Sequence, residues 1–341
     1  MEVTYQREVS HCEVSPYVKM VTIKDIQPAQ NSDFLDRVEF EELGWNAITK
    51  RGSNVIGETV MFIPPDSVLP FELSEALNIT QYTNKGRVRV TKLRGNRSEG
   101  LIADRAIVEP YLPYIMKWED LPTHEQMRGD AMPLAQTPYS FSKFYKMPNI
   151  LNEPFTFHDG EQVWISEKIH GTNFRFGVFQ NPETGLYDDY VGSHNVVLKY
   201  NEANLYWKAY NMYFNGCIPQ DVLFFGEIYG PGVQDNFAYG LTGIAVAVFA
   251  IMLKGEYINP LNVMEYCVSL DLPVVSFHRH VFSGLEELRE MADSPSEVTD
   301  KHGREGIVIV SDAFPNRMAK CIGFNYLAGK ASKGKKTTER H

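Results

Sequence analysis

The chain is 341 residues long, room for two domains at roughly 100 to 200 residues each and too long for one ordinary domain. Hydrophobic residues make up 43% and charged residues 22%, which supplies apolar material for real cores and excludes general disorder. A formal charge of -10 excludes a protein that coats nucleic acid by bulk electrostatics alone, while leaving room for a local basic track.

No apolar run reaches the ~20 residues that a membrane-crossing helix needs. The longest is Ile244 to Leu253, and the N-terminal MEVTYQREVS has no signal-peptide core. The expectation is a soluble, cytoplasmic protein without a membrane partner. Cys12, Cys217, Cys267 and Cys321 are scattered with no CxxC pair, so reduced thiols are expected rather than a zinc site or a disulfide framework.

From Lys19 to about Ile107 the sequence runs through short β-rich segments: VTIKDI, RVEFEEL, WNAITK, ETVMFIP, GRVRVTKL and GLIADR. Alternation in ETVMFIP and GRVRVTKL marks strands with one buried face, and the spacing suits a five-stranded OB-like barrel. A basic track, Lys85, Arg87, Arg89, Lys92, Arg94 and Arg97, runs through it, and such barrels carry single-stranded nucleic acid on basic and aromatic groups. Taken alone, that run reads equally well as a solvated face.

Between about Leu112 and Phe155 the sequence is rich in Pro, Tyr, Met and polar residues with no clean period, which predicts a connector or a docking segment. From Trp164 the pattern becomes longer apolar strands alternating with helices: VWISEK, FRFGVF, a helix near Glu202 to Asn215, VLFFGEI, IAVAVFAIML, helices near Leu261 to Ser269 and Gly284 to Met291, then GIVIVS. The predicted class is α+β in two domains: an OB-like barrel over 1–125, a connector over 126–160, a mixed α/β domain over 161–328, and a basic tail over 329–341 holding Lys330, Lys333, Lys335, Lys336 and Arg340.

The most informative stretch is Glu167, Lys168, Ile169, His170, Gly171, Thr172, Asn173, Phe174, directly after the strand VWIS. A lysine at a strand end followed by glycine sits where backbone can approach a ligand closely. Lysine attacks phosphorus only as the free amine, so such a site must lower its proton affinity by burial or nearby positive charge. Lys320 and a bound divalent metal are candidates for that charge. Further along, Glu227 follows a fully apolar run and precedes a GPG turn, where a carboxylate could meet a ribose. Phe249 offers a flat ring for a purine, although an isolated Phe in a strand is more often core. Glu305 opens the strand GIVIVS and could hold Mg²⁺ by its oxygens. Each of these charges alone would more simply be a surface ion pair; the order of the set is what carries weight.

That order resembles the nucleotidyltransferase motifs of ATP-dependent ligases, in the wording of the RNA ligase 2-like branch. EKIHGTNF resembles the nucleophile motif, FGEIYGPGVQ the third motif, REGIVI the fourth, and RMAKCI the fifth. KDIQPAQNSDFLDRVEF, GETVMFIPPDSVLP and KLRGNRSEGLI resemble the OB module placed before the transferase domain in RNA ligases of the Deinococcus type. The resemblance implies an ATP-grasp-like ligase domain in which Lys168 becomes adenylylated. It further implies that Glu305 and Lys320 act in catalysis, with Glu305 on the metal, Mg²⁺ or Mn²⁺. Glu167, Gly171, Asn173, Glu227, Phe249 and Lys320 would bind ATP. Arg87, Arg89, Lys92, Arg94 and His194 would bind nucleic acid. Three positions depart from the family: His194 stands where an arginine is usual, Ile322 where a second lysine is common, and Ala250 where an aspartate is common.

The implied function is RNA repair: a monomer seals 5′-phosphate and 3′-hydroxyl ends through lysyl-AMP, at nicks or breaks in RNA or RNA/DNA duplexes with RNA on the 3′-hydroxyl side. A DNA ligase or an mRNA capping enzyme is the nearest alternative, ranked lower because those usually carry an OB domain after the fifth motif. A non-catalytic OB-type nucleic-acid binder is the alternative from another class.

Overall fold

The computed structural model describes residues 13–15, 17–83, 86–118, 129–214, 216, 218–234 and 237–329. Lys85, Cys12, Cys217, the expected 125/126 boundary and the tail cations from Lys330 onward lie outside these residues. Two compact units divide the chain, Met1–Leu121 with Leu151–Pro154, and Pro122–Ile150 with Phe155–His341. Among the described residues no helix is long and apolar enough to cross a membrane.

The first unit is built on strands β1 (Glu13–Ser15), β2 (Val18–Pro28), β3 (Leu35–Phe40), β4 (Asn46–Lys50), β5 (Thr59–Ile63), β6 (Ser67–Val68), β7 (Val90–Leu93), β8 (Asn96–Glu99), β9 (Leu101–Ala103) and β10 (Met116–Lys117). Five of them follow the antiparallel order β4-β3-β2-β5-β9, with β1 flanking β2. The long β2 serves two partners because its register shifts between Ile23 and Asp25. Its first half faces β5, Lys19 opposite Phe62, and its second half faces β3, Pro28 opposite Asp36. An irregularity of this kind bends a strand and lets a small sheet curl.

One face of the curled sheet buries Val21, Ile23, Val38, Phe40, Val60 and Phe62, while Val18, Met61 and Ile63 on the other face pack with Leu69, Leu73 and Val108, so β5 is buried on both sides. The β7–β8 hairpin turns through Arg94 and Gly95, both at positive φ (49° and 92°), as a two-residue turn of this hand requires. Buried Glu99 on β8 accepts a hydrogen bond from the Asn46 amide at 3.0 Å, tying the hairpin to the start of β4. GRVRVTKL is only half a strand. Gly86 at φ +77° precedes an isolated bridge from Arg87 to Val68, and the regular ladder begins at Val90. Leu151–Pro154 belongs with this unit: Gly44 N donates to Leu151 O at 2.8 Å, and the Trp45 indole donates to Asn152 Oδ1.

The second unit holds β11 (Gln162–Lys168), β12 (Thr172–Gln180), β13 (Tyr187–Gly192), β14 (Val222–Tyr229), β15 (Ala245–Leu253), β16 (Glu256–Tyr257), β17 (Phe277–Val281), β18 (Gly306–Ser311) and β19 (Met318–Ile322). They form two antiparallel sheets, β17-β11-β18-β19 and β13-β12-β14-β15-β16. Helices Leu205–Tyr213 and Pro260–Ser269 start where the Asn204 and Asn259 side chains accept the Tyr206 and Leu261 amides, which satisfies otherwise orphaned N–H groups. An aromatic core fills the larger sheet, with Phe176 stacked on Phe224 at 5.1 Å and Phe214 beside them. Residues 129–150 pack into this unit as a docked segment. Met132 N donates to Val197 O at 2.7 Å, Phe141 and Phe144 are buried, and Asn149 bridges to Lys320 on β19.

Candidate active site

Lys168 is the last residue of β11 and lies opposite Gly306 of β18, so Glu305, one residue earlier, arrives beside the lysine. Glycine is needed there, because a Cβ on Gly306 would overlap the Cys321 carbonyl oxygen and sit 2.9 Å from Ile322 Cα. Lys168 Nζ lies 2.8 Å from Glu305 Oε1. The other carboxylate oxygen is 3.1 Å from His170 Nδ1, and Tyr326 OH is 3.0 Å from the same nitrogen. His170 also donates its backbone N–H to Tyr239 OH at 2.7 Å, while the Phe237 and Tyr326 rings flank its imidazole. Burial works to raise the Glu305 carboxyl, but the Lys168 ammonium and His170 outweigh it and hold the group below the ordinary range.

After Lys168 the chain turns at Gly171 into β12, which places Asn173 opposite Glu227 of β14. A Cβ at Gly171 would overlap the Ile228 carbonyl oxygen and stand 2.9 Å from Glu227 Cγ, so these two strands meet closely only because the residue is glycine. Desolvation is the largest influence on Glu227 and pushes its carboxyl up to about 8; Lys168 opposes the shift and Glu305 adds to it. Asn173 Oδ1 is buried with no hydrogen-bond partner within the protein, and a group of that kind calls for an explanation. Lys168, Glu305, His170, Gly171, Asn173 and Glu227 therefore form one constellation, assembled from the β11–β18 and β12–β14 pairings.

Other expected residues stand differently. The Glu167 side chain is turned to a loop, its carboxylate accepting Ser296 Oγ at 2.7 Å and Glu297 N at 2.6 Å. That loop is held in turn by Arg304, which donates to Pro295 O and pairs with Glu297. Lys320 lies opposite Val308, which lies opposite Ser166, so it shares the Lys168 face of the sheet, two strands across. The charge found against Lys168 is the Glu305 carboxylate, where positive charge was expected.

Phe249 is the extra residue where β15 slips register against β14, between Val248 and Ala250, a place where bulges re-aim side chains. Its half-buried ring meets Phe144 edge-on at 5.1 Å. His194 lies in the turn after β13. That turn is supported by Arg175, whose Nε donates to Ser193 O and whose Nη1 donates to Phe141 O, both at 3.1 Å. Burial lowers the Arg175 guanidinium to about 10. In the first unit Arg89, Lys92 and Arg94 are exposed, whereas Arg87 pairs with Asp66 at 2.7 Å and lies 4.6 Å over the Trp118 ring.

Sequence reading missed His170, Tyr239, Tyr326 and Arg175. An arginine inside the apolar run FRFGVF was a usable signal for Arg175; the tyrosines carry no pattern of spacing. No group of three or more His, Cys, Asp or Glu suited to a metal occurs among the described residues.

A barrel of OB type and paired antiparallel sheets, with a lysine, two glutamates and a buried asparagine oxygen at one set of strand ends, agree with the expected α+β pair of an OB-like barrel and a mixed α/β domain. Residues 161–322 match the RNA ligase family model, and residues 17–104 match an OB-fold domain model. The stretch similar to the RNA ligase family thus follows the stretch similar to an OB fold.

Among solved structures it is similar to Naegleria gruberi RNA ligase with PPi, at 20% identity and TM-score 0.75 over 94% of this chain and 100% of that one. It is also similar to a lysine-to-alanine mutant of that ligase with ATP and Mn, at 19% identity and TM-score 0.76 over 93% and 100%. A glutamate-to-alanine mutant with AMP and Mn matches at 18% identity and TM-score 0.76 over 93% and 99%. At these identities the likeness establishes the fold. No curated protein matches.

Proposed function

We propose that this protein is an RNA ligase that uses ATP to adenylylate Lys168 and then seals 5′-phosphate to 3′-hydroxyl ends, at nicks in duplexes carrying RNA on the 3′-hydroxyl side. The observation that carries the reading is the Lys168–Glu305 pair, 2.8 Å apart, set beside Glu227 and Asn173. The Naegleria gruberi ligase structures with ATP and Mn or with AMP and Mn support it.

In the first step Lys168 Nζ forms a bond to the α-phosphorus, the bond from that phosphorus to the bridging oxygen breaks, and pyrophosphate leaves. The proton lost by the amine has an acceptor in Glu305 Oε1. AMP then passes to the 5′-phosphate, freeing Lys168, and the 3′-hydroxyl displaces AMP to close the strand. Lys320, on the same sheet face, stabilises charge on the phosphate oxygens. Phe249 receives the adenine, and Glu227 and Asn173 border the nucleotide.

The oxygen donors Glu305 and Glu227, with the unpartnered Asn173 Oδ1, fit a hard divalent ion that takes its remaining ligands from phosphate and water. Glu305 would hold it. Such an ion supplies neutralisation of phosphate charge.

Intact mass after incubation with ATP and Mg²⁺ is the direct test. An AMP adduct that maps to Lys168 and is lost in Lys168→Ala supports the reading; an adduct elsewhere, or none with any divalent ion, ends it. Sealing at equal rates on all-DNA nicks would discard the RNA requirement.

A further inference from the structure

Where β13 begins, a polar cavity of about 400 Å³ opens between that strand, the Leu205–Tyr213 helix and the docked segment 129–150. Asp188 of this strand lies opposite Phe179, and Asn173 is six residues earlier on β12. At the rise of an extended chain the cavity is therefore roughly 20 Å from Asn173 along the sheet, apart from the Lys168 constellation.

Two side chains in the cavity wall are buried with polar atoms that nothing in the protein satisfies. Tyr190 and Trp207 are 1% and 4% exposed, and neither Tyr190 OH nor Trp207 Nε1 has a hydrogen-bond partner. Orphaned groups of this kind call for a cause. An indole N–H can only donate, so whatever answers it must carry an acceptor. Burial and the nearby charges of Asp188 and Glu183 raise the Tyr190 phenol above its ordinary range, so it keeps its proton and has a hydrogen to give as well.

The acids of the cavity make the opposite demand. Asp188 Oδ2 accepts Asn181 Nδ2 and Asp189 Oδ1 accepts Tyr210 OH, each at 2.8 Å. Both acids are exposed, and the second oxygen of each is open to a donor brought by a ligand. Among the described residues lining the cavity there is no lysine or arginine, so an anion is repelled and a cation drawn in. Tyr200, 60% exposed, meets Trp207 edge-on at 5.0 Å and adds an aromatic ring, a further attraction for a cation.

We propose that this cavity binds a small hydroxylated amine of the amino-sugar class, whose ammonium donates to Asp188 and Asp189 and whose hydroxyl oxygens accept from Trp207 Nε1 and Tyr190 OH. A simple polyamine leaves the indole N–H unanswered. A neutral sugar leaves the negative charge unbalanced. The site is independent of the ATP-dependent reading above and does not rest on it.

The probe is glucosamine, titrated into the ¹⁵N-labelled full-length chain in buffer acidic enough to keep its amine protonated. Glucose and putrescine are the controls, each lacking one half of its chemistry. The chain has four tryptophans, and Trp207→Phe identifies which indole N–H signal belongs to Trp207. That signal should move saturably with glucosamine while the other three hold still, and half-saturation with either control should need about 10-fold more probe, the worth of one charged hydrogen bond. Replacing both acids, Asp188→Asn with Asp189→Asn, keeps an acceptor for Asn181 and Tyr210 but removes the charge. Binding should weaken about 10- to 150-fold. Tyr190→Phe, which keeps the ring, should weaken it about 2- to 10-fold, as losing a neutral hydrogen bond does.

Glucose as effective as glucosamine overturns the ammonium assignment, and putrescine as effective overturns the hydroxyl assignment. A Trp207 signal indifferent to all three probes, or a response that the double variant leaves unchanged, overturns the site and gives the cavity to water.

Discussion

The end of β11 and the β7–β8 hairpin are both rich in charge, yet they treat it in opposite ways. At the end of β11, Lys168 meets Glu305, and Glu305 meets His170, at 2.8 and 3.1 Å. On the hairpin Lys92 and Arg94 are exposed, as is Arg89 just before it. Removing water makes an unmatched charge costly, so buried groups are compelled into specific partnerships. Exposed charges carry no such desolvation cost, so water alone can satisfy them. Arg87 marks the boundary, since it lies in the same track but is committed to Asp66 and Trp118.

The sharpest way to break this contrast is Lys168→Ala, which should abolish the AMP adduct while leaving RNA binding by the hairpin intact; retained labelling, read by autoradiography with ATP, would show the nucleophile lies elsewhere. Next is Glu305→Gln, which keeps the shape but not the charge and should slow adenylylation about 10²- to 10⁴-fold, the range for a positioned proton acceptor. Single-turnover kinetics would measure it. Gly171→Ala should destabilise the second unit by about 1–3 kcal/mol, because the added methyl meets the Ile228 carbonyl and overpacking of this kind is costly. A lowered midpoint in denaturant would record it.

A smaller effect concerns pH. The Glu227 carboxyl is raised to about 8, so the folded state holds its proton more tightly than the unfolded chain. Its contribution is complete below the ordinary carboxylate range and is lost as pH rises toward and past about 8. Glu227→Gln removes that loss, so its stability relative to the parent should grow between pH 5 and pH 9 in urea titrations; a constant difference would place Glu227 in contact with water. The smallest expected effect is Arg87→Ala, costing about 1 kcal/mol through its half-exposed ion pair and ring contact. It should lower RNA affinity less than Arg89→Ala does.

Much of this was legible before any coordinates. Strands of the barrel alternate where one face is buried, and Val21, Ile23, Val38 and Phe40 follow that pattern, whereas β5 is buried on both faces and breaks it. Gly171 and Gly306 sit beside Lys168 and Glu305, so the close approaches they permit were readable as a turn and a strand start. Residues 129–150 were not readable, because they bury Phe141 and Phe144 through irregular backbone that has no period to detect. The partners of the Glu167 carboxylate, Ser296 and the Glu297 amide, were not readable either, because they come from a loop about 130 residues further along. Tyr239 and Tyr326 reach His170 only through tertiary folding, across separations that local pattern does not register.

His170 Nδ1 has two neighbours, the Glu305 oxygen at 3.1 Å and the Tyr326 hydroxyl at 3.0 Å. A single ring nitrogen carries either a hydrogen or a lone pair, so it can donate to Glu305 or accept from Tyr326 but cannot do both at once. The choice of tautomer therefore decides which of two residues from distant parts of the chain is tethered, and nitrogen chemical shifts of this one imidazole would report which tether is closed.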